Sequence, residues 1–432
     1  MKPGSSTLRR TLSLWQVSLS GVGVILGAGV YALIGPAAAQ AGSALWLSFL
    51  VAGLTAGLTA YAYARLGRLA PKNSPEFQYT ALAFGPTAGF VAGSLMLAAD
   101  ILATGAVTIG FGGYVQHLLG TPLIGNALGL VAILGVILYS GVRQSVAIAI
   151  VLTVLEAAGL LFVIVIGLPS WSGTDFLVMP NGLAGVSGAA ALIFFAYLGF
   201  DELGNFAEEM HRPERDLPRA LFISMIASTA IYILVALSAV AVVGSTQLGA
   251  SEAPLALVAR QVLGPRADTA LSVVALAATA NTALLLLVAA SRSIYGMAAA
   301  GVFPTGLARV SQASIPVAAT TLVLALLAIL VSLGDLQQVA AMTDAAVLVA
   351  FMFVNASLPW LATHGSTSSS RSVRIADTLI PALALLLCTW LLLHAGAPSV
   401  IATLGLSGLA LVAAPGTRAW GKSLLDRWTH RP

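Results

Sequence analysis

Residues 20–31 read Ser20-Gly21-Val22-Gly23-Val24-Ile25-Leu26-Gly27-Ala28-Gly29-Val30-Tyr31, inside an apolar run spanning about 14–35. Glycine in a helix interior costs about 1 kcal/mol relative to alanine. Four glycines in nine residues therefore make this helix weakest at its middle. An unwound backbone in lipid finds no water, so protein, ligand or a water-filled cavity must satisfy it. On one reading, Gly27, Ala28 and Gly29 free their N–H groups at the start of a second half-helix. That end carries about half a positive charge and cradles a carboxylate. On the other reading, the glycines let neighbouring helices pack closely. A dinucleotide-binding loop does not fit, because the glycine spacing is wrong and no strand–turn–helix surrounds it.

The rest of the chain places this run in a membrane. Of 432 residues, 58% are hydrophobic and only 8% are charged, against about a quarter charged in soluble domains. The mean hydropathy is +0.95. Such a chain cannot cover a soluble surface, which excludes a soluble enzyme, a secreted disulfide scaffold, a disordered chain and a nucleic-acid-binding domain. The single cysteine, Cys388, and five scattered histidines exclude an internal disulfide and make a metal cluster an unsupported reading. The runs are apolar throughout rather than alternating, so the spans are helices and not barrel strands.

At 1.5 Å per residue, about 20 apolar residues cross the hydrocarbon. Twelve such runs are expected, near 14–35, 43–66, 86–115, 122–141, 145–168, 183–206, 219–243, 267–299, 315–333, 336–362, 376–394 and 398–414. The first is too long for a signal-peptide core and is read as a retained span. With the N-terminus inside and alternating spans, eighteen of the 20 Lys and Arg fall on the cytoplasmic side; Arg260 and Arg266 fall outside. That asymmetry supports twelve spans with both termini cytoplasmic. Between runs seven and eight, 252–263 is expected as a short surface helix, and the basic tail 415–432 as an interfacial segment.

Runs one to five (14–168) and six to ten (183–362) follow the same order of lengths, with glycine interruptions at similar depth. Five spans per repeat force the second copy to be inverted, placing a site between two broken helices. Two further helices (376–414) and termini at 1–13 and 415–432 complete the layout. Run six contains Phe194-Phe195-Ala196-Tyr197-Leu198-Gly199-Phe200-Asp201-Glu202. A break near Leu198 and Gly199 would expose the carbonyls of Phe195, Ala196 and Leu198, which suit an ammonium group, with Phe195 or Phe200 closing over it. The aromatics as lipid-facing or core residues are the alternative. Together the two breaks fit a small zwitterion, an amino acid.

The chain resembles the amino acid–polyamine–organocation transporters. The likeness rests on Gly23 to Tyr31 and on Phe195-Ala196-Tyr197-Leu198-Gly199-Phe200-Asp201. It continues with Ala207-Glu208-Glu209 and Pro213-Glu214-Arg215-Asp216-Leu217-Pro218-Arg219-Ala220. The resemblance implies a five-plus-five inverted repeat with broken helices one and six. It implies that Gly27, Ala28 and Gly29 hold the substrate carboxylate, and that carbonyls at Ile25, Phe195, Ala196 and Leu198 hold the amino group. The mechanism it implies is alternating access.

An acid at mid-bilayer is costly and therefore a functional suspect. Glu156 in run five stands where many proton-coupled relatives carry a lysine. It is the expected coupling residue, as a proton carrier or as an anion facing sodium or a basic substrate; a protonated, hydrogen-bonded structural acid is the alternative. Asp100 in run three is the second candidate. Asp344 is expected to be solvated near the outer end of run ten. Thr279, Asn281 and Thr282 in run eight are expected to line the site or to bond between helices. Glu208, Glu209, Arg215 and Arg219 are expected as an inner gate within a solvated charge cluster.

No nucleophile or metal grouping suggests an enzyme, and the short tail speaks against a sensor with a soluble output domain. The expected function is secondary active amino acid transport in the cytoplasmic membrane, driven by a proton or sodium ion. A polyamine or cationic amino acid carrier is the alternative. No cofactor is expected, nor nucleic acid; the protein is expected to be a monomer or weak homodimer.

Overall fold

The computed structural model describes residues 13–67, 75–139, 146–201, 203, 210–299, 303–310, 316–364 and 371–414. These residues are helical, with no β-strand among them. The first run is split into α1 (Leu14–Ile25) and α2 (Gly29–Ala41). Ser13 caps α1: its hydroxyl accepts the Gln16 N–H while the Gln16 side chain accepts the Ser13 N–H, closing a reciprocal capping box. Next come α3 (Leu45–Leu66), α4 (Pro75–Phe84), α5 (Pro86–Leu119), α6 (Leu123–Tyr139) and α7 (Val146–Gly167). The second half holds α8 (Gly182–Ile193), a 3₁₀ turn (Phe194–Tyr197), α9 (Pro213–Val243), α10 (Ser245–Gly249), α11 (Pro254–Leu263) and α12 (Pro265–Ala299). It ends with α13 (Val317–Ser332), α14 (Leu336–His364), α15 (Arg371–His394) and α16 (Ala397–Ala413).

Seven stretches are long and apolar enough to cross a membrane, and shorter apolar helices accompany them. One of the seven, Gly29–Leu66, is two helices, α2 and α3, joined by a 3₁₀ turn at Gly42–Ala44. Two boundaries differ from the sequence reading. The charged segment after Arg212 is not loop: Pro213 opens α9, as proline favours the first helical turn, so Arg215 and Arg219 ride on its first two turns. The extra helix α4 is the other difference. It packs along α5 and α14, and its Glu76 accepts the Tyr63 hydroxyl at 2.6 Å. The expected surface helix near 252–263 is α11.

Large aliphatics such as Val136, Leu386 and Val412 point outward, as lipid allows, while alanines, further aliphatics and aromatic rings fill the interior. α2 packs on α8, α3 on α9, α5 on α12, and α6 on α13. α1 meets α9 while α8 meets α3; α5 meets α14 while α12 meets α7. Each contact thus has its counterpart five runs further on.

Two ion pairs occur among the described residues. His117 on α5 meets Asp268 on α12 at 2.7 Å. Arg65 forks onto Asp377 of α15 at 2.6 and 2.7 Å, and Tyr61 adds a hydroxyl bond at 2.8 Å. Arg65→Met leaves the buried Asp377 carboxylate without its cation, and should cost roughly 2 kcal/mol. A lower melting temperature of the detergent-purified protein checks this, with the paired change Arg65→Met and Asp377→Leu less damaging than Arg65→Met alone.

Candidate functional site

The helix breaks are built from backbone. At the end of α1 the Leu26 N–H still reaches the Val22 carbonyl at 2.9 Å, and α2 resumes with Ala32 N–H to Ala28 O at 3.1 Å. Between them, the amides of Gly27 and Ala28 have no backbone acceptor among the described residues. They join the orphan amides that every helix start presents. In run six, Leu198 is extended (φ −61°, ψ 146°) after the 3₁₀ turn, and Gly199 follows at φ +105°. A side chain at Gly199 would be strained there. The Leu198 N–H bonds to Phe195 O at 3.2 Å, and Asp201 turns back to accept the Gly199 N–H at 3.1 Å.

The two breaks touch. A Cβ placed on Gly29 would lie 2.8 Å from Ala196 Cα, and one on Gly199 would lie 2.8 Å from Val24 Cγ1. The Tyr232 hydroxyl of α9 sits between the breaks, on the carbonyls of Ile25 and Ala196. One phenolic proton is thus shared by two acceptors from different breaks. A second tyrosine chain braces α2: Tyr114 donates to Tyr31 O at 3.1 Å and Tyr31 donates to Glu156 O at 2.7 Å.

Around the crossing lies a cavity of about 410 Å³. Seven of the eight expected substrate residues line it: Ile25, Gly27, Ala28, Gly29, Phe195, Ala196 and Leu198. Phe200 does not. It is buried against Tyr63 and Phe351, because the positive φ of Gly199 redirects the chain and sends the ring into the core. Phe195 is thus the aromatic left on the cavity wall.

Both expected coupling acids, Glu156 and Asp100, line the cavity. Glu156 is buried and one of its carboxyl oxygens has no partner. Among the described residues, Asp201 completes a set of three acidic side chains, and no Lys, Arg or His lines the cavity. Asn281 and Thr282 also line it, whereas the Thr279 hydroxyl bonds back to Ala275 O at 2.7 Å within its own helix. Asp344 is not solvated: it is fully buried in α14 and neither of its oxygens has a partner. Of the expected gate, Arg215 and Arg219 are exposed on α9, and Glu208, Glu209 and the neighbouring Glu202 lie outside the described residues.

Beyond Gly29 the first turns of α2 are sealed, with Val30, Tyr31, Leu33 and Ile34 all buried. The cavity-lining residues Val24 and Leu285, on the other side, are exposed. Tyr232 and its bridge are absent from the sequence reading, since an uncharged residue in an apolar run carries no local signal. Tyr232→Phe removes the donor from two buried carbonyls and should cost about 1–3 kcal/mol, read as a lower melting temperature with the fold retained by circular dichroism.

Comparison with known proteins agrees with this geometry. The family model described as "Amino acid permease" matches residues 12–413. A branched-chain amino acid permease of Bacillus subtilis (strain 168) is 27% identical over 421 residues, covering 92% of this chain and 90% of that protein. A methylthioribose transporter of the same organism is 29% identical over 331 residues, 71% of each. The vacuolar cationic amino acid transporter 4 of Arabidopsis thaliana is 28% identical over 405 residues, 87% of this chain and 67% of that protein. These proteins are transporters and not enzymes, and with its apolar helices and crossed helix breaks this multi-pass membrane chain belongs to the amino acid permease family of the amino acid–polyamine–organocation transporters.

Proposed function

We propose that the chain is a secondary active amino acid transporter of the cytoplasmic membrane, working by alternating access and coupled to protons. The crossing of two helix breaks in one cavity carries this reading. The amides of Gly27, Ala28 and Gly29 suit a carboxylate at a helix start. The Leu198 carbonyl, and the second lone pairs of Ile25, Phe195 and Ala196, suit an ammonium group. Phe195 supplies an apolar wall for the side chain. About 410 Å³ is ample for an amino acid.

Twelve spans in a five-plus-five inverted repeat with cytoplasmic termini are supported by two independent features. One is the charge asymmetry of the loops. The other is the set of helix contacts that recur five runs on. The cavity, sealed beyond Gly29 and exposed near Val24 and Leu285, matches a cytoplasm-facing state. Opening to the other side requires α1, α2 and the run-six segment to rock against the remaining helices. Glu208, Glu209, Arg215 and Arg219 act as the inner gate in that motion.

Glu156 is the coupling residue. A bare buried carboxylate is costly, so Glu156 takes a proton when the cavity closes around it, in place of the lysine of many relatives; Asp100 shares the task. A second reading, that the substrate is a cationic amino acid or polyamine, is favoured by one observation: among the described residues, three acidic side chains and no basic one line the cavity. Relatives named for branched-chain and for cationic amino acids bracket the two readings.

Two experiments test this. A thermal-shift screen against the twenty amino acids and common polyamines should show a stabilising ligand, and labelled leucine and arginine uptake into proteoliposomes should separate the readings. No stabilisation by any of them would refute the assignment. Glu156→Gln should remove the pH dependence of uptake while leaving ligand exchange; an unchanged pH profile takes Glu156 out of the coupling.

A further inference from the structure

Buried acids in this chain are partnered wherever their role is to hold helices together. Asp377 pairs with Arg65, Asp268 with His117, and Glu76 with Tyr63. Among the described residues, Asp344 is the acid whose two carboxyl oxygens are both buried and unpartnered. A carboxyl with nothing to bond to costs stability, and an ionised one in that place costs far more. The Asp344 side chain thus makes no hydrogen bond that would tie α14 to a neighbour.

Its position on α14 supplies a purpose. Two turns before Asp344 on the same helix, Leu336 and Gln337 line a second cavity of about 470 Å³. That cavity also carries Glu252 and Asp335, and lies on the sealed side of the first cavity. Val347, three residues after Asp344, lines the first cavity. At 1.5 Å per residue, Asp344 is about 10 Å along the helix from Gln337 and about 5 Å from Val347. Along α14 it therefore lies between the lining residues of the two cavities.

Among the described residues, no charged group is bonded to it. Of the helices packed on α14, α8 and α16 carry no titratable side chain, and Tyr197 of the 3₁₀ turn donates to Phe49 O. On α3, Arg65 is committed to Asp377 of α15 and Tyr63 to Glu76 of α4, while Tyr61 also serves Asp377. On α5, Asp100 lines the first cavity, Tyr114 bonds to Tyr31 O and His117 pairs with Asp268. On α15, His394 bonds to Trp390 O, Cys388 lies beside Asn355, and Arg374 makes no bond or ion pair with Asp344; nor does Tyr79 of α4.

We propose that Asp344 is a second proton-carrying group of the transport cycle, loaded from the second cavity and reached by water when that side opens. This rests on the proton-coupled reading above. It differs from the role of Glu156, which lines the substrate cavity itself.

The test uses the full-length protein in proteoliposomes with labelled leucine and arginine as probes. Asp344→Asn should reduce accumulation driven by an inside-alkaline pH gradient roughly tenfold or more. Exchange between equal pools of the same probe, and the pH dependence of ligand-induced thermal stabilisation, should be retained. Asp344→Glu should restore accumulation. Wild-type accumulation by Asp344→Asn, with an unchanged pH profile, overturns the inference alone. Absence of gradient-driven accumulation of either probe by the wild type overturns proton coupling, and the inference with it. Should Asp344→Asn not fold, the wild type gives the answer. Dicyclohexylcarbodiimide, an apolar reagent that attacks protonated carboxyls, should modify the Asp344 peptide at a rate that changes with the pH gradient. Absence of that adduct under any gradient overturns the proposal.

Discussion

The contact between the two helix breaks is the constraint on which the rest of this protein depends. Gly29 meets Ala196, Gly199 meets Val24, and the Tyr232 hydroxyl lies on the carbonyls of both Ile25 and Ala196. Unwound backbone in the membrane interior survives only where protein or a cavity satisfies it. Each break is thus tolerable because the other break, and one tyrosine, stand beside it. The same geometry leaves the Gly27 and Ala28 amides without a backbone acceptor among the described residues, in residues that line the cavity together with Leu198.

Sharing one hydroxyl between two breaks also ties their movements. If the α1–α2 break shifts relative to the run-six break, the Tyr232 proton must favour one carbonyl over the other. The second half of the first run, α2, is tethered separately, through Tyr31 to the backbone of Glu156. One hydrogen bond thus joins α2 to the helix that carries a cavity-lining acid.

Charge is distributed with the same economy. At the ends of the helices, acids meet polar partners, as in Arg65–Asp377 and His117–Asp268. Inside, among the described residues, the cavity is lined by three acidic side chains and no basic one, and Asp344 is buried without a hydrogen-bond partner. An isolated acid in a low-dielectric interior is expensive to ionise. The paired acids at the helix ends hold helices together instead.

Much of this was legible in the sequence. Apolar runs of about 20 residues, together with the bias of Lys and Arg to alternate loops, report membrane helices because lipid imposes length and charge rules that act locally. The glycines at 27, 29 and 199 marked the breaks, since helix propensity is also local. Periodicity said nothing about which side chains of different helices meet. Hence Tyr232 was invisible, Phe200 was placed in the cavity although it packs on Tyr63 and Phe351, and Asp344 was read as solvated although it is fully buried. The start of α9 and the extra helix α4 were missed for a related reason: charged turns become helical when a neighbouring helix shelters one face. Burial and pairing are decided by contacts between residues far apart in the chain, and only the tertiary structure holds those.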